Sequence, residues 1–80
     1  MAKFSDATIN DWREKAAGWL AANTTLTAEA ITTGRDAWTV AHRCGITGAA
    51  YTDRTVTDGH IQTALEKVFP NAVFRDKKVY

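Results

Sequence analysis

The sequence predicts a mostly helical domain with a small C-terminal β-hairpin, an α+β chain of three or four helices. Three observations predict it. Apolar residues recur at helical spacing in three stretches, beginning with Ile9, Trp12, Ala16 and Leu20. Each stretch opens on a hydroxyl residue with an acid in the first turn: Ser5 with Asp6, Thr27 with Glu29, Thr57 with Asp58. The final segment AVFRDKKVY alternates in part, with Val73 and Val79 as β-branched positions and Phe74 and Tyr80 as aromatics.

The first helix is predicted to begin after Ser5, whose hydroxyl can cap the free amides of the first turn. Phe4 before the cap and Ile9 inside it fit a hydrophobic staple. Ile9, Trp12, Ala16 and Leu20 form the inner face, with Trp19 beside them; Asp11, Arg13, Glu14 and Lys15 form the outer one. Asp11 and Lys15 stand four apart in the favourable order. Gly18 costs a helix interior about 1 kcal/mol relative to alanine, which points to a neighbour packing closely there. Asn23 tolerates the left-handed conformation and suits the helix end.

The second helical stretch, 28–44, takes Thr27 as its cap and Leu26 as a staple onto Ile31. Ile31, Ala37, Trp38, Ala41 and Cys44 share one broad face, interrupted by TTGRD at 32–36. Gly34 beside two threonines predicts a kink or two helices, with Thr33 as a second cap. Gly45 suits the position just past a helix end, and Ile46 can fold back onto the last turn. Residues 47–56 read as a ten-residue loop carrying Tyr51 and Arg54. The last helix, 57–69, has Thr57 as cap; Ile61, Ala64, Leu65 and Val68 line its inner face, and Pro70 stops it. Its exposed face is expected to show His60, Gln62, Thr63, Glu66 and Lys67. A short hairpin of 72–75 with 78–80 would complete the chain.

Eighty residues make one domain, 1–80, and 45% hydrophobic composition with three Trp, three Phe and two Tyr can build its core. At least two of Trp12, Trp19 and Trp38 are expected in that core, with Trp19 the partly exposed one. The single cysteine, Cys44, allows no intrachain disulfide and fits a reducing, cytoplasmic setting. No apolar run is long enough for a signal peptide or a membrane span, so no membrane partner is expected. Net charge is +1, short of the excess of a strong non-specific nucleic-acid binder. Residues 61–80 hold four basic and two acidic groups. Any electropositive surface is therefore expected around Lys67, Arg75, Lys77 and Lys78.

Catalysis lacks the residues it would need. There is no Gly-rich phosphate loop, no paired carboxylates at a working spacing and no Ser-His-Asp set, so the expectation is a non-enzyme without a cofactor. His42 and Cys44 would point about 200° apart on a helix and cannot easily grip one metal. Cys44 reads better as a small buried hydrophobe, and His42 as a polar residue suited to a helix C-terminus.

The order helix, extended piece, helix, helix, hairpin, together with Ala41, Gly45, Ile46 and the helix at 57–69, resembles a winged helix-turn-helix DNA-binding domain. The resemblance implies that this helix enters a groove of duplex DNA while the hairpin touches the backbone. His60, Gln62, Thr63 and Lys67 would then face bases and phosphates, with Arg75, Lys77 and Lys78 on the wing. The chain departs from that pattern in the long connection before the helix and in the acids Asp58 and Glu66 upon it. The other class is a protein–protein interaction module, an adaptor or inhibitor, contacting its partner through Tyr51 and Arg54 or through Tyr80. In size and near-neutral charge the chain resembles short phage and prophage products. A free hairpin edge would also pair with a second copy as a homodimer.

Overall fold

The computed structural model describes residues 4–75. Their order is α1 (Asp6–Asn23), a 3-10 turn (Ala28–Ala30), α2 (Gly34–Arg43), α3 (Ile46–Ala50) and α4 (Asp58–Val68).

Helix α1 starts where local chemistry directs. Ser5 Oγ accepts the Thr8 N–H at 3.3 Å. The Phe4 ring lies on Trp12 with centroids 4.7 Å apart. Ile9, Trp12, Ala16 and Leu20 are buried, and Lys15 pairs with Asp11 at 3.1 Å on the outer face. The end differs from expectation. Asn23 keeps a negative φ and donates its side-chain amide to the Trp19 carbonyl at 2.8 Å, while Thr24 leaves the helix extended.

The second stretch divides at TTGRD. Thr27 opens only the 3-10 turn and makes no side-chain cap bond. The expected staple from Leu26 to Ile31 has no helix to span, since the turn ends at Ala30, and Leu26 is 49% exposed. Thr33 is the working cap, its Oγ1 accepting the Asp36 N–H at 3.1 Å, and α2 follows from Gly34. Only glycine fits there, because an added Cβ would stand 2.8 Å from the Phe74 Cα. Gly45, at φ +88°, turns the chain directly from α2 into α3. The predicted loop 47–56 thus begins as a short helix that buries Ile46, Thr47 and Ala50. Five residues of ITGAA are too few to show a helical period in sequence.

The expected C-terminal hairpin is corrected. No strand forms among the described residues, and the fold there is helical rather than α+β. Val73 instead makes an isolated parallel bridge to Thr33. Its N–H donates to the Thr32 carbonyl at 3.0 Å, and its carbonyl accepts the Gly34 N–H at 2.8 Å. The reason lies at the start of α2, whose first amides have no partner within the helix. The C-terminal segment supplies one and packs Phe74 against the core. Residues 78–80, the proposed second arm, lie outside the described residues.

The core gathers all four helices, with α1 packed most extensively on α4 and α2 on α3. Trp12 and Trp38 are buried and Trp19 is half-buried, as the sequence indicates. Phe69, which continues the Ile61–Leu65 spacing past the last turn of α4, and Val56, which precedes the helix, are also buried. No helix among the described residues is long and apolar enough to cross a membrane.

Candidate functional site

Helix α4 distributes the residues expected to read DNA. Ile61, Ala64, Leu65 and Val68 form its buried stripe. His60, Thr63 and Lys67 share one flank, whereas Gln62 lies on the other, about 200° from His60. His60 and Gln62 are both half-buried. Gly59, Thr63 and Glu66 occupy the middle of the outward face. His60 completes a capping box: its Nδ1 accepts the Thr57 N–H at 3.2 Å, and its own N–H donates to Thr57 Oγ1 at 3.4 Å. Thr63 Oγ1 donates to the Gly59 carbonyl at 2.9 Å.

Lys67 is exposed, and its backbone carbonyl anchors the other end of α4. Arg13 of α1 donates to it through Nε at 3.3 Å and Nη2 at 3.1 Å. A third bond, Arg13 Nη1 to Asn10 Oδ1 at 2.8 Å, holds the guanidinium in place. Arg75 is exposed beyond the Val73 bridge. Lys77, Lys78 and Tyr80 lie outside the described residues.

The Ala41–Gly45–Ile46 motif forms the tight turn between α2 and α3. The outward residues of α3 are Gly48 and Ala49, which carry no polar group to read a base edge. Tyr51 and Arg54 are exposed in the loop after it. The Tyr51 hydroxyl donates to Asp58 Oδ1, tying this loop to the start of α4. Partial burial, and then the hydrogen bond and charge of Asp58, push the Tyr51 hydroxyl up to about 12. Cys44 is half-buried, with Sγ donating to the Ala41 carbonyl at 3.6 Å. Burial pushes its thiol above the ordinary range, which favours the protonated form. No group of three His, Cys, Asp or Glu residues among the described ones could hold a metal ion.

A cleft lies elsewhere, between the second half of α1, the 3-10 turn and the end of α4. Its volume is about 500 Å³. Ala17, Ala21, Leu26, Ala28, Val68 and Pro70 form its apolar lining. Arg13, Glu14, Glu29 and Lys67 bring charges of both signs to it. Sequence explains the hollow: past Lys15 the outer side of α1 changes from charged residues to Ala17, Gly18, Ala21 and Ala22. The 3-10 turn is held across from it by Asn71 Nδ2, which donates to the Glu29 carbonyl at 2.8 Å. The sequence signal for this site was the small-residue run AAGWLAAN.

No family model, no curated protein and no solved structure matches this chain.

Proposed function

We propose that this chain is a non-enzymatic protein-interaction module whose contact surface is the cleft between α1, the 3-10 turn and the end of α4. One observation carries the reading: Leu26, 49% exposed, stands at an apolar hollow floored by small side chains. Burying a leucine-sized side chain is worth about 1.5–3 kcal/mol, and alanine floors leave room for a knob from a partner. Charged groups around the hollow orient what enters more than they hold it. The fitting ligand is a polypeptide segment with an apolar anchor flanked by both charge signs.

DNA association draws less support. The outward face of α4 centres on Gly59, Thr63 and Glu66, and His60 is occupied at the helix start. Lys67 and Arg75 remain as exposed candidates for phosphate contact. One titration separates the readings. Isotope-labelled protein receives either an amphipathic leucine peptide carrying Lys and Glu, or a mixed-sequence DNA duplex at low salt. The expected result is saturable amide shifts at Ala17, Ala21, Leu26 and Val68 with the peptide. Silence there overturns the proposal, and salt-sensitive shifts at Lys67 and Arg75 with the duplex alone put DNA binding in its place.

A further inference from the structure

We infer that the outward side of α2 is a second contact surface, which takes an acidic, extended polypeptide segment on its arginines. It is a different face from the cleft and stands whether or not a partner enters there. At about 100° per residue, Arg35, Thr39, His42 and Arg43 share one side of α2, and all four are exposed. The opposite side gives Ala37, Trp38, Val40 and Ala41 to the core. Arg75 joins the row. The Val73 carbonyl accepts the Gly34 N–H, and the Phe74 Cα packs on Gly34, which sets Arg75 beside the first turn of α2. Asp36 is the acid at the edge of this face, whereas acids outnumber bases over the other described residues. Positive charge is thus concentrated here in a chain near neutrality. The helix dipole favours His42 and Arg43 in the last turn but disfavours Arg35 in the first. The row of cations is therefore not a by-product of helix stability.

Charge and shape choose the occupant. The cations are arginines, whose planar fork grips a carboxylate or phosphate through two parallel bonds. Arginine is also enriched at protein interfaces, where lysine is depleted. No large apolar side chain stands among them to enter a lipid surface. Three arginines neutralise only about three phosphates, a salt exponent of about −3 on duplex DNA. The acids over the rest of the surface repel so extended a polyanion. A short acidic segment meets the arginines alone. From Arg35 to Arg43 the row runs about 12 Å along α2. An extended chain with carboxylates at i, i+2 and i+4 sets them on one side over about 13 Å, which matches the row.

Fluorescence anisotropy of a labelled peptide of alternating Glu and Thr, titrated with the full chain at low salt, tests this surface. Saturable binding is expected, and a Gln–Thr peptide should not bind. The double change Arg35→Gln, Arg43→Gln is expected to weaken binding about fivefold or more. Both positions are exposed, so the variant should keep wild-type circular dichroism. Lys67→Gln, at the cleft, should bind the acidic peptide as wild type does. No binding at millimolar concentration, or binding indifferent to the double change, overturns the inference. Duplex DNA or phosphatidylserine vesicles that displace the peptide and bind more tightly also overturn it, and make the face a phosphate surface. The leucine peptide reads the cleft separately, so each surface can fail without the other.

Discussion

The Tyr51 phenol hydroxyl donates to the Asp58 carboxylate across the loop that leads into α4. The bond needs the neutral phenol. Because the folded value is raised to about 12, the stabilisation is complete below the ordinary tyrosine range near ~10 and is lost as pH climbs from there through about 12. Ultraviolet titration of phenolate should therefore show a late phase in wild type that Tyr51→Phe abolishes. Ionisation entirely in the ordinary range would show that the contact does not persist in solution. Residues whose partners lie within a turn were readable in advance: Ser5, Thr33 and Thr57 each cap the helix that follows. The Tyr51 contact was not, because it spans a loop whose path no periodicity specifies.

Helix α4 is fastened at both ends by different means. The box of Thr57 and His60 satisfies its first amides, and Arg13 reaches from α1 to the Lys67 carbonyl at its last turn. Replacing Arg13 with alanine should destabilise the fold by up to about 1 kcal/mol. Arg13→Lys should recover little, since an ammonium cannot make the forked contact. At the other end, His60→Gln should hold near wild type because glutamine serves the box, whereas His60→Ala should lose stability. Urea unfolding of the four variants checks both ends, and equal midpoints throughout would show that neither fastening matters. The Thr57 half of this was legible in sequence, but Arg13 was not, because its acceptor lies 54 residues away. The hairpin failed for a related reason. Partial alternation in AVFRDKKVY indicates extended backbone without saying which strand or helix end it will meet.

Across the whole molecule, the segment after Phe69 works as a brace. Val73 joins the start of α2, Asn71 holds the 3-10 turn, and Phe74 packs on the core. A chain ending at Ala72 should melt at a clearly lower temperature than one ending at Arg75. Identical melting of the two would show that the brace contributes nothing. The helical core was legible in its tryptophans, since Trp12 and Trp38 fall inside and Trp19 at the margin. The cleft was not, because it arises between elements and is defined by what small residues leave empty.

The packing of α1 on α4 carries a consequence for how the protein is made. During synthesis α1 leaves the ribosome with Ile9, Trp12 and Leu20 uncovered, and its main cover, α4, is translated well after it. Stable tertiary structure must therefore await the synthesis of α4, and until then the nascent chain carries a tryptophan-bearing apolar face open to chaperones.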